Sequence, residues 1–137
     1  IPLARGSAFA LPFRDASFDC VISSQVIEHL AYDEILFSEM RRVLRPGGML
    51  ILGTPDYATI GWRIIEPTYR FVLPGGYADE HITHYTREKL TEIIRRYGFV
   101  VEEAAYIVAS ELIMRCRKCD LPIPAQQSAP SPESSAA

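Results

Sequence analysis

Glu28 and His29 set a carboxyl beside an imidazole in a chain with only three histidines. With Gln25 they stand at i, i+3 and i+4, the spacing that shares one face of a helical turn. An imidazole titrates near neutrality and can take the proton of a hydroxyl. That makes His29 and the distant His81 candidate catalytic bases, while His84 is read as structural. The other pair that invites chemistry is Cys116-x-x-Cys119. Zinc would need two further ligands, and no second such pair or nearby His pair exists. A redox dithiol would open a helix after a strand, whereas this pair closes the fold, so it is read as incidental.

The elements that must position these residues lie between Leu11 and Thr54. Cys20-Val21-Ile22-Ser23 and Met49-Leu50-Ile51-Leu52 are short apolar runs of the kind found in strands covered on both faces. Between them Ile35, Leu36, Met40, Val43 and Leu44 recur at helical spacing, with Asp33 placed to start the helix. Pro46 forbids its continuation, and Gly47-Gly48 can take the positive φ of a helix end. The result is one strand–helix–strand crossover, which makes the sheet parallel there. Further on, Thr86 caps a helix with Leu90, Ile93, Ile94 and Tyr97 on its buried stripe, and Gly98 follows it. Phe99–Glu102 and Ala105–Met114 read as two final strands. Residues 1–10 read as the tail of an edge strand and a loop.

Leu11-Pro12-Phe13, Ser17-Phe18-Asp19, the Ser24-x-Val26-x-Glu28-His29-Leu30 stretch and Arg42-Val43-Leu44-Arg45-Pro46-Gly47-Gly48 resemble class I S-adenosylmethionine-dependent methyltransferases. The likeness is closest to the group containing ubiquinone-biosynthesis O-methyltransferases. With His81-Ile82-Thr83-His84-Tyr85-Thr86 and Gly98-Phe99 it extends from about residue 3 to residue 116. The resemblance implies an α/β fold, a Rossmann-like methyltransferase sheet with flanking helices. Of that sheet only the C-terminal half is expected here, parallel strands plus a final antiparallel hairpin. The glycine-rich loop of the family has no counterpart, because neither Gly47-Gly48 nor Gly75-Gly76 follows a strand and opens a helix.

The same resemblance assigns residues. Gly6-Ser7-Ala8 takes the place of the adenine-contacting turn, with Ser7 where the family has Asp; Ser7 and Ala8 are therefore cofactor-binding candidates. A hydroxyl accepts the adenine bond without charge assistance. Open parallel sheets hold ligands at the carboxyl ends of their strands, which adds Ser23, Ser24 and Gln25. Glu28, His29 and His81 match part of the metal site of small-RNA 2′-O-methyltransferases. There a second glutamate stands where this chain has Gln25, so a hard ion would be held weakly. Two imidazoles shift the preference from Mg²⁺ toward Mn²⁺, Fe²⁺ or Zn²⁺. The implied cofactor is S-adenosylmethionine, with a divalent metal a lesser alternative.

The aromatic-rich stretch 56–80 reads either as a lid over the acceptor or as a helix packed on the sheet. Residues 1–119 form the domain, and the Pro, Ser, Ala and Gln content of 120–137 marks a disordered tail. A net charge of -3 and scattered arginines disfavour a nucleic-acid surface. No apolar run approaches the about 20 residues of a membrane helix. Three cysteines fit a reducing, cytoplasmic setting. The expected activity is O-methylation of a small-molecule acceptor by a protein of which this is a fragment. The alternatives are an RNA-end 2′-O-methyltransferase and a truncated, non-catalytic interaction module. The strand at Cys20–Ser23 is expected to be an exposed sheet edge that favours self-association.

Overall fold

A computed structural model of the chain describes residues 3–32, 34–64, 81–108 and 110–119. Four strands, β1 (Phe18–Ser24), β2 (Leu44–Pro55), β3 (Phe99–Ile107) and β4 (Glu111–Lys118), form one sheet in the order β1-β2-β4-β3. β1 and β2 are parallel, joined through helix α1 (Glu34–Val43), and the other two pairings are antiparallel. Helix α2 (Arg87–Arg96) precedes the β3–β4 hairpin. This is the mixed Rossmann-like sheet that the sequence predicts, with flanking helices.

Residues paired across neighbouring strands share a face of the sheet, so register separates inside from outside. Leu50 pairs with Cys116, Leu52 with Met114 and Thr54 with Leu112, and all six are fully buried. They form one core with Leu36, Phe37 and Met40 of α1 and Leu90, Ile93 and Ile94 of α2. Phe37 stacks on Tyr97 at 5.7 Å between ring centroids and joins the two helices. The other face carries Cys20, Ile22, Met49, Ile51, Ile113 and Ala105. Ile22 is 68% exposed and Ile107 55%. The expected cover on both faces is thus present on one face among the described residues. The second row of apolar side chains, which suggested it, stands open.

Several boundaries differ from the expectation. β2 starts at Leu44, because Leu44 already pairs with Phe18 before Pro46-Gly47-Gly48 loops out and Met49 resumes the register opposite Cys20. Gly47 has φ 69°, as a turn at that point requires. On α1 the buried stripe is Leu36, Phe37, Met40 and Val43, while Ile35 faces solvent. β3 runs on to Ile107 and β4 starts at Glu111, so the strand does not break at Glu103-Ala104. Glu103 lies opposite Arg115, and Glu102 sits at a register shift between Val101 and Glu103. Arg115 pairs with both and Arg117 with Glu102. Residues 3–10 hold a Ser7–Ala10 bridge in place of an edge-strand tail. Helix α2 matches its prediction: Thr86 Oγ1 accepts from Lys89 N at 3.3 Å, and Leu90, Ile93, Ile94 and Tyr97 are buried.

Candidate functional site

The parallel strands β1 and β2 end side by side, Ser24 opposite Gly53. A Cβ on Gly53 would lie 2.7 Å from Ser24 Oγ, so a larger residue there requires the Ser24 side chain to move. Beyond β1, Gln25 gives its N–H to Gly53 O at 2.9 Å and adopts φ 56°. The chain then makes one 3-10 turn, Ile27–His29, which buries Ile27 and Glu28. Gln25 therefore does not share a helical face with Glu28 and His29, as the spacing suggested. Its N–H extends the strand ladder, and its side-chain amide donates to Glu111 of β4.

The segment before α2 docks on this turn. Ile82 N and Thr83 N both donate to Glu28 O, at 2.8 and 3.0 Å, and Thr83 Oγ1 donates to Leu30 O at 2.6 Å. This pairing carries His81 to the turn, where its ring centroid lies 4.8 Å from that of His29. One ligand atom from each of Glu28, His29 and His81 lies within 4.8 Å of the others. The Tyr57 hydroxyl and His81 Nδ1 are 2.5 Å apart, and Trp62 stacks beside the same ring.

Glu28 is wholly buried, and neither carboxylate oxygen has a hydrogen-bond partner. Burial pushes its carboxyl above the usual range, while its own backbone N–H, the His29 charge and the nearby Thr54 hydroxyl act the other way. The Tyr85 hydroxyl is also buried without a partner, and burial pushes it up to about 12, with the Tyr32 and Glu28 charges adding. A buried, unpartnered carboxyl beside two imidazoles costs stability and is what a ligand-binding or proton-handling site requires. Its donor set of one carboxylate and two imidazoles fits a borderline divalent ion better than Mg²⁺.

The remaining predicted residues are placed apart from this cluster or at its margin. Ser23 is buried at the end of β1 with its hydroxyl unpartnered, in keeping with a ligand at the strand exit. Ser24 is exposed. Ser7 is exposed, and its Oγ accepts from Phe9 N at 3.2 Å within its own turn; Ala8 packs against the core. His84 lies outside, stacked on Tyr57 at 4.1 Å. Cys116 is buried and Cys119 half-buried, and both are free thiols. Tyr57, Thr54 and Glu111 were missed. Tyr57 follows a strand exit, which is a usable signal, but nothing local links Glu111 to a residue 86 positions earlier. Residues 65–80, the greater part of the predicted lid, and the tail 120–137 fall outside the described residues. Within 56–64, Asp56 Oδ1 accepts from Ala58 N at 2.9 Å in a turn, and Thr59, whose Oγ1 accepts from Trp62 N at 3.3 Å, starts a helix over residues 60–64.

A family model described as a methyltransferase domain matches residues 1–52. A probable S-adenosylmethionine-dependent methyltransferase of Mycolicibacterium smegmatis is 36% identical over 104 residues, 75% of this chain and 37% of that protein. The ubiquinone/menaquinone biosynthesis C-methyltransferase of Nitrosospira multiformis is 31% identical over 116 residues, 72% of this chain and 46% of that one. The chain thus spans between a third and a half of these two relatives. Among solved structures, a methyltransferase from Thermotoga maritima superposes with a TM-score of 0.67 at 23% identity, covering 82% of this chain and 62% of that one. Sequence likeness over the β1–α1–β2 unit and fold likeness over the whole sheet agree, and the chain belongs to the class I S-adenosylmethionine-dependent methyltransferases.

Proposed function

We propose that the protein carrying this chain transfers a methyl group from S-adenosylmethionine to an ionisable hydroxyl of a small molecule. The chain supplies the acceptor side of the site. The observation that supports this most is the cluster of Glu28, His29 and His81 beyond the carboxyl ends of two parallel strands. The bound cofactor supplies an electrophilic methyl group; the protein's part is alignment, exclusion of water and proton removal. His81 is held through Nδ1 by Tyr57, and Glu28 sits beside His29, so each imidazole has a group to orient it. A neutral imidazole at either position takes the acceptor's proton as the methyl group arrives. The Ser23 hydroxyl, buried and unpartnered, supports a cofactor contact at the β1 exit. Ser7 and Ala8 are the adenine turn in this reading, and the glycine-rich loop comes from residues outside the 137. Three free thiols suit a reducing, cytoplasmic setting.

A second reading places the methyl group on a ring carbon. The Nitrosospira relative is named a C-methyltransferase, and loss of a phenolic proton also activates the adjacent carbon. The experiment is transfer of labelled methyl from S-adenosylmethionine to a panel of phenols and quinols, with the product bond identified by NMR. An O-methyl product supports the first reading and a C-methyl product the second. No transfer to any of the panel overturns the acceptor class. The same assay examines the metal: loss of activity in EDTA with recovery on added Mn²⁺ or Zn²⁺ assigns Glu28, His29 and His81 as its ligands. Indifference to EDTA leaves the two imidazoles as bases.

A further inference from the structure

Two side-chain hydrogen bonds and one backbone bond join the tip of the β3–β4 hairpin to the two loops that carry the site. Glu111 accepts from the Gln25 amide at the exit of β1. Tyr106 donates its hydroxyl hydrogen to Asp56 Oδ2 at 2.7 Å at the exit of β2, where Asp56 N also donates to Ser110 O at 2.9 Å. Gln25 is a side-chain-bearing residue at φ 56°, a conformation kept only where the surroundings fix it. Here Gly53 O holds its backbone and Glu111 its side chain. Three residues later the chain presents Glu28 and His29. Glu111 is half-buried within the field of Glu28, and burial and that charge both push its carboxyl up. A like-charged neighbour does not favour folding, so the position answers to what it holds.

We propose that Glu111 is a positioning residue of the site. By holding the Gln25 amide it fixes the left-handed turn into Ile27–His29, and so sets where Glu28 and His29 stand against His81. The inference rests on that cluster being the functional site, but not on which acceptor atom is methylated.

The test reads the imidazole ¹H–¹³C resonances of His29 and His81 in the folded chain, in Glu111→Ala, Glu111→Gln, Gln25→Ala and the double Ala variant. Glu102→Ala serves as control, because it breaks the arginine pairs at the far end of the same hairpin. Glu111→Ala and Gln25→Ala are expected to shift the His29 resonance alike, with the double variant adding nothing. Glu111→Gln keeps an acceptor oxygen and is expected to leave His29 near its native position, as is Glu102→Ala. Additive shifts, an unmoved His29 in Glu111→Ala, or an equal shift in Glu102→Ala would overturn the proposal. Should Glu111→Ala not fold, a shift in Gln25→Ala with none in Glu111→Gln supports it, and the reverse overturns it. No methyl transfer is measured, so a failed transfer assay leaves this result standing, and an unmoved His29 leaves the transfer reading standing.

Discussion

Under the proposed function the chemistry turns on Glu28, a wholly buried carboxyl beside an imidazole on its own turn and another from 53 positions away in the chain. In a protein with a complete cofactor site, Glu28→Ala or His29→Ala should lower turnover by about 10²-fold, the scale of a positioned acid–base group. His84→Ala, which removes a ring from the outer side of Tyr57, should cost little beside them; parallel kcat measurements on the three variants check this. If an imidazole is the base, activity falls on the acid side, because the protonated ring cannot accept. The cysteines give a second prediction at this scale. Burial pushes the Cys116 thiol up to about 12, whereas Cys20 is exposed. At pH 8 an alkylating reagent should label Cys20 and spare Cys116 until denaturant is added, with mass spectrometry as the readout.

Among the elements, α1 is tied to the loop before β1 by side chains. Arg42 bonds Glu39, Asp15, Phe13 O and Leu11 O, and Glu39 accepts from Leu11 N at 2.7 Å. The Arg42 hydrogen bond, helped by the Leu11 N–H, holds the Glu39 carboxyl down to about 2. A carboxyl lowered in the folded state adds stability above its unfolded value of 4.5 and loses it as pH falls through about 2. Glu39→Gln should therefore lower the melting temperature at neutral pH and flatten its acid-side decline over that window.

The elements also show what was legible in the sequence. Period and capping revealed α1, α2 and the crossover, since Leu36, Met40, Leu90 and Ile94 repeat at the spacing that the core uses. Glu28, His29 and His81 were legible as a set through the resemblance, and the backbone pairing of residues 82–83 with Glu28 brings them together. Hidden were the left-handed turn at Gln25 and its bond to Glu111. A non-glycine residue gives no local sign of positive φ, and nothing short-range marks a contact across the sheet. The hairpin boundary was misread for a related reason. Adjacent glutamates look like a turn until the arginines opposite them are known.

At the scale of the whole molecule, the sheet has one covered face and one open one among the described residues. β1 is an edge strand among the described residues, and Ile22 stands exposed beside Ile51 on the open face. Unpaired strand edges with apolar side chains recruit other strands. Sedimentation of the 137-residue chain should show association that grows with concentration, and Ile22→Lys should reduce it. A single monomeric species across the range would contradict the expectation. No helix among the described residues is long and apolar enough to cross a membrane. Under the proposed function the cluster at the β1 and β2 exits is the acceptor side of a methyl-transfer site. Its most direct test is labelled methyl transfer by the chain joined to a glycine-rich cofactor loop, comparing native protein with His29→Ala and His81→Ala at saturating S-adenosylmethionine. Transfer by the native protein is expected, with a loss of about 10²-fold in at least one variant and cofactor affinity retained. Native rates in both variants would contradict it.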